Sequence, residues 1–119
     1  MLAPPLSDKM VESVAQRFRL LGEPMRLRIL QVLEHGEKTV GEIVAALDGN
    51  QPNISSHLRA LWGAGLLRRR RSGTNAYYSI ADPTIFKLCD LVCRSATREA
   101  RAQLAELVPQ RRRTGTSNS

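Results

Sequence analysis

In the stretch "NQPNISSHLRAL", residues 50–61, six polar residues follow Asn50: Gln51, Asn53, Ser55, Ser56, His57 and Arg59. Their chemistry is that of base-edge recognition. Gln and Asn pair bidentately with adenine, Arg with guanine, and Ser bonds to either base or to phosphate. At about 100° per residue on a helical wheel, Ile54, Leu58 and Leu61 fall in one narrow arc. Pro52, Ser55, Ser56 and Arg59 fall opposite, and Gln51, Asn53 and His57 flank. The outward side is small, polar and once positive, with no acidic residue in the segment. A merely solvated helix face usually mixes Glu with Lys. His57 borders the apolar arc and is open to two readings, packing on its own scaffold or touching phosphate.

A second group follows at once. Arg68, Arg69, Arg70 and Arg71 form a run that leads into "SGTN", with Thr74 and Asn75 at its far side. The net charge is +7, from 18 Lys and Arg against 11 Asp and Glu. Setting aside this run and Arg111–Arg113 leaves 11 basic residues, which the acids match, so the whole excess sits in two clusters. Such concentration points to a polyanion partner. The cluster at 111–113 lies in a polar tail, where a solvated basic run is an equal reading.

The third group is Cys89 and Cys93 in "KLCDLVCRS", four apart and hence on one helical face. Two thiolates at that spacing can both ligate a soft ion or a trivalent metalloid. Helix neighbours four apart have Cβ atoms about 5–6 Å apart, whereas a disulfide wants about 3.5–4.5 Å. Ligation therefore suits the spacing better than a bridge within one chain. The pair also falls in the apolar stripe of Ile85, Phe86, Val92, Ala96, Ala100 and Leu104, so small-hydrophobe packing stays open, as does thiol-redox or reactive-sulfur sensing. Arg94 and Lys87 are near enough in sequence to lower a thiol pKa, and Asp90 opposes them.

The elements that must carry these groups can be read from caps and periodicity. Residues 1–7 make a Pro-containing arm. Met10, Val11, Val14, Phe18 and Leu21 recur at helical spacing from Ser7 or Asp8 to about Leu21, where Gly22 stops the helix. Pro24 suits the first turn of a second helix, with Leu27, Leu30 and Leu33 inward and Gly36 closing it. "TVGEIVAALDG" opens on a capping box, Thr39 with Glu42. Asn50 caps the helix of the opening stretch, Pro52 sits in its first turn, and it ends near Ala64 and Gly65. Trp62, near that end, is expected in the core. Two strands follow around a tight turn at Ser72–Asn75. Asp82-Pro83 then starts a long helix to about Val108. The domain organisation is thus an arm over 1–7, one domain over 8–108, and a basic disordered tail over 109–119. The fold class is mainly α. A short helix, a turn and a reading helix abut a basic hairpin, which makes a winged helix-turn-helix with a two-stranded β-wing. Two wing arginines should point to each face of the hairpin. Unpaired burial of any would be costly, and facing a polyanion they gain by releasing counterions.

"LGEPMRLRIL" (Leu21–Leu30) and "QPNISSHLRALWGAGLL" (Gln51–Leu67), with "TVGEIVAALDG" and the terminal helix, resemble the ArsR/SmtB family of winged-helix repressors over about residues 10–108. The resemblance implies a homodimer paired through its first and last helices, bound to a palindromic double-stranded DNA operator and released by ligand binding or thiol oxidation. It departs from the best-known members in its sensing residues. The arsenic-type motif needs cysteines in the helix that here reads "TVGEIVAAL", and there are none. The zinc-type motif needs histidines on the last helix, and His35 and His57 are the only ones in the chain. Cys89 and Cys93 are what remains. They are the candidate site for an inducer, As(III), Sb(III) or a soft metal ion, with no cofactor required.

Other classes find little support. No Gly-rich phosphate loop, paired-carboxylate site or nucleophile motif occurs, and Ser55 and His57 are two residues apart on different helical faces, so the chain does not read as an enzyme. No apolar run approaches the roughly 20 residues of a membrane span. No charged segment leads into an apolar stretch at the N-terminus, so the expected compartment is the cytoplasm, with reduced cysteines. Two rivals stay open: an architectural DNA-binding protein without a signal, and a protein-interaction module that uses the wing as a basic docking surface.

Overall fold

The structure, a computed structural model, describes residues 5–107. The basic cluster Arg111–Arg113 and the tail expected over 109–119 lie outside the described residues. The elements are α1 (Asp8–Leu21), α2 (Pro24–Leu33), β1 (Lys38–Thr39), α3 (Val40–Leu47), α4 (Gln51–Gly63), β2 (Leu67–Ser72), β3 (Asn75–Ile80) and α5 (Pro83–Leu107). Internal packing divides the chain after Phe86 into two units.

Each helix of the first unit begins where a side chain satisfies its orphan amides. Ser7 Oγ accepts from Met10 N at 3.2 Å. Glu23 Oε1 caps α2 by accepting from Met25 N at 2.6 Å and Arg26 N at 3.3 Å. Thr39 and Glu42 form the reciprocal capping box, at 3.1 Å and 2.8 Å. Asn50 Oδ1 accepts from Asn53 N at 2.8 Å. Prolines occupy the first turns of α2 and α4, where a missing N–H costs little.

The core is aliphatic. Ile29, Leu30 and Leu33 of α2, Ile43 of α3, and Ile54, Leu58 and Leu61 of α4 meet Leu66, Leu67 and Tyr78, with Leu20 and Leu21 of α1 at its edge. Ile29, rather than Leu27, carries the second helix inward; Leu27 is only half-buried. No polar or charged residue is buried among the described residues. The turn from α3 to α4 is tight. Asp48 is left-handed at φ 51°, and a Cβ on Gly49 would meet Ile54 Cδ1 at 2.9 Å. Glycine there lets the two helices close on each other.

The sheet has three strands in the order β1-β3-β2, all antiparallel. The hairpin and its Ser72–Asn75 turn stand where the sequence places them, with Gly73 at φ 61° in a two-residue loop. The third strand, β1, pairs Lys38 with Tyr78 and Thr39 with Tyr77, and makes β3 the central strand.

The second unit is the part of α5 from Lys87 onward. None of the residues of α5 is buried, and its stripe is open: Leu91, Val92, Leu104 and Leu107 are all exposed. No helix among the described residues is long and apolar enough to cross a membrane.

Candidate nucleic-acid interface

The inner face of α4 is fully covered: Ile54, Leu58 and Leu61 are each 0% exposed. Burial of that kind is worth about 1.5–3 kcal/mol per side chain, and it fixes which face is left over. That outward face carries Gln51, Pro52, Asn53, Ser56 and Arg59, all exposed, with Ser55 half-buried beside them. Among the described residues Arg59 makes no hydrogen bond or ion pair, so its guanidinium is available to an outside acceptor. The first turn of α4 holds no acid, and its N-terminal dipole favours an anion.

His57 differs from its neighbours. Its side chain is 14% exposed, and Nε2 lies 3.9 Å from Glu23 Oε1. Its Nδ1 accepts from Arg26 Nε at 3.1 Å. Of the two uses open to this residue, the ring is engaged in packing on its own scaffold.

The four wing arginines are not equivalent. Pairing places Leu67, Arg69 and Arg71 on the face of Tyr78 and Ile80, and Arg68 and Arg70 on the face of Tyr77 and Ser79. Arg70 lies over the ring of its cross-strand partner Tyr77, 4.4 Å from the centroid. It reaches past that ring to Glu37 beside β1, with Nε 3.3 Å from Oε2. The hydrogen bond from Arg70 holds the Glu37 carboxyl below its ordinary range. Arg69 lies over the Trp62 ring, 3.8 Å from the centroid. Trp62 is therefore no core residue; it is 40% exposed and forms a platform that joins the end of α4 to the wing. Arg68 and Arg71 are exposed and unpartnered among the described residues, as are Thr74 and Asn75 at the tip.

Cys89 and Cys93 are both free and both half-buried. Burial, with a smaller contribution from Cys93, pushes the Cys89 thiol above its ordinary range. Neighbouring cations do not activate it: Arg94 donates to Asp90 at 2.8 Å. Among the described residues no group of three or more His, Cys, Asp or Glu could hold a metal ion, so one chain offers two soft ligands and no third.

The family model "Bacterial regulatory protein, arsR family" matches residues 23–69, which span α2, α3, α4 and the start of the wing. A "Probable mercury resistance operon repressor" of Streptomyces lividans is 34% identical over 99 residues, 82% of this chain and 79% of its own. The chain belongs to the ArsR/SmtB family of winged helix-turn-helix transcriptional repressors. Solved ArsR-type structures agree. The homodimeric DNA-binding domain of a possible ArsR-family regulator from Mycobacterium bovis has a TM-score of 0.68 at 35% identity, covering 80% of this chain and 91% of that one. An antimony-specific repressor has a TM-score of 0.71 at 27% identity, covering 82% and 90%.

Membership of the ArsR/SmtB family places the chain among DNA-binding regulators, not enzymes. Several residues that shape this candidate interface carry no mark in the local sequence pattern. Arg26 holds His57, with Glu23 3.9 Å from its ring, and Glu37 and Tyr77 hold Arg70. Glu23, Arg26 and Glu37 lie about thirty residues from the side chains they meet, beyond the reach of local spacing, and Tyr77 meets Arg70 through the hairpin register. An unpaired charge in the loop before β1 was the only available hint of Glu37.

Proposed function

We propose that the protein is a homodimeric repressor that inserts the outward face of α4 into the major groove. Gln51, Asn53, Ser55, Ser56 and Arg59 read base edges, and Arg68, Arg71, Thr74 and Asn75 hold the backbone beside them. The observation that carries this reading is the open, acid-free face of α4, with an unpartnered Arg59, next to two unpartnered wing arginines. Arg69 and Arg70 set the shape of the wing and are left out of the contact set. His57 is left out too.

Dimerisation through α1 and α5 is supported by their exposed apolar residues. Met10, Val11 and Phe18 are 49–57% exposed, and four α5 residues are 59–80% exposed. Runs of this kind mark interaction surfaces. The Mycobacterium bovis relative is homodimeric.

The inducer is a soft ion held by Cys89 and Cys93. Mercury(II) is satisfied by two thiolates, which one chain supplies. Trivalent arsenic or antimony takes three, so it also requires a cysteine of the partner subunit. The relatives named for mercury resistance and for antimony favour this class. Binding shifts the dimer toward a geometry in which its two reading helices no longer match successive major grooves. The test is an anisotropy titration of operator DNA with mercury(II), arsenite and antimonite, on the native protein and on Cys89→Ser/Cys93→Ser. Release at one mercury per chain, or one metalloid per dimer, that is lost in the double variant supports the reading. Equal release from both proteins contradicts it.

A further inference from the structure

Among the described residues, one side-chain hydrogen bond joins α4 to another helix, and it is made by His57. Arg26 Nε donates to His57 Nδ1 at 3.1 Å. A guanidinium has no acceptor, so Nδ1 is the bare nitrogen and the ring is neutral with its proton on Nε2. Arg26 is itself fixed. Its Nη1 donates to the Leu20 carbonyl at 3.2 Å, at the end of α1, and its own amide is held by Glu23. One side chain thus ties the middle of the reading helix to the start of α2 and the end of α1.

The rest of the inner face of α4 is Ile54, Leu58 and Leu61, all aliphatic. Burial of such groups holds α4 against the core but is not directional, so it tolerates a small rotation of the helix about its axis. A hydrogen bond is directional. Ser56 and Arg59 lie one and two residues from His57, so a rotation of α4 swings them away from any base edge they address.

We propose that neutral His57 is a positioning residue. By accepting from Arg26 it fixes the rotation of α4, and with it the operator preference, without touching DNA. The inference rests on the reading of α4 as the groove-reading helix. Protonation at Nδ1 removes the acceptor and sets a cation against Arg26. The groups that face the ring are Arg26 of α2 and Glu23, the N-cap of that helix. Arg26 opposes protonation. Glu23 attracts a charged ring, but at 3.9 Å it lies beyond hydrogen-bond distance and its Oε1 is already occupied by the α2 cap. From α3 and β2 no charged group comes within ion-pairing distance of the ring among the described residues.

The test measures affinity for operator and for random duplex between pH 5.5 and 8.5, with thermal melts, for the full chain and for His57→Gln, His57→Leu and His35→Gln. Glutamine keeps a carbonyl acceptor and does not titrate. The native operator-to-random ratio should fall about tenfold on acidification, a drop His35→Gln should share. His57→Gln should hold the ratio flat across the range. His57→Leu should have a low ratio at every pH. If instead acidification raises affinity for both duplexes and steepens the salt slope by about one per chain, His57 contacts phosphate and the inference is overturned. A native ratio that is high at every pH and survives His57→Leu also overturns it, while leaving the α4 reading intact. A native protein with no operator preference at any pH defeats the α4 reading itself. Should His57→Leu fail to melt cooperatively, the flat or falling profile of His57→Gln decides alone.

Discussion

Replacing Arg71 with alanine separates the wing arginines proposed to meet phosphate from those tied into the wing itself. Arg71 is exposed and unpartnered among the described residues, whereas Arg70 is tied to Glu37 and laid over Tyr77. Each neutralised phosphate contributes about 0.9 to the slope of log K against log salt. A homodimer carries two wings, so Arg71→Ala should flatten that slope by about 1.8. Between 50 and 200 mM salt, a fourfold change, the native protein should then lose about 12-fold more affinity than the variant. Arg70→Ala removes a cation whose charge Glu37 already balances, and its slope should change little. Fluorescence anisotropy of a labelled operator at five salt concentrations measures both. Equal flattening by the two variants would refute the distinction, and no flattening by Arg71→Ala would remove the wing from the interface.

Leu58→Ala, at a residue 0% exposed between α4 and the core, should cost about 2–5 kcal/mol, seen as a lower melting temperature; a shift near zero would mean that α4 is not anchored as described. Thr39→Ala breaks the capping box of α3 and should cost about 1 kcal/mol, measured by denaturant unfolding. In Cys93→Ser, Cys89 should react with iodoacetamide more slowly at pH 7 than free cysteine. Its thiol is pushed up mainly by burial, so less thiolate is present at that pH. Faster reaction would contradict that environment.

Much of this ArsR-type fold was legible because its boundaries are set locally. Ser7, Asn50 and the Thr39–Glu42 box cap where they stand in the sequence, and Ile54, Leu58 and Leu61 declare the inner face of α4 by spacing alone. What escaped was non-local or atypical. The strand β1 is two residues long and exists through its register on β3, nearly forty residues away. Glu23 caps α2 although glutamate is an uncommon cap, because its side chain can fold back over two amides. Trp62 was expected inside, where its bulk usually goes, but at the end of α4 it faces Arg69. The run of four arginines marked the wing, yet only β3 and Glu37 decide which of them stay open. For the cysteines the sequence leaves core packing, ligation and redox sensing open; they lie half-buried on a helix with no buried residue.

The central claim is that α4 reads sequence through its outward face, and Arg59→Ala tests it most directly. A bidentate base contact is worth about 1–3 kcal/mol of discrimination, and a dimer makes two. The measurement is the ratio of operator to random-duplex affinity at fixed salt for the native protein and the variant. The account predicts that this ratio falls by at least about tenfold, with random-duplex affinity far less affected. A ratio that does not change, or an equal loss on both duplexes, would contradict it.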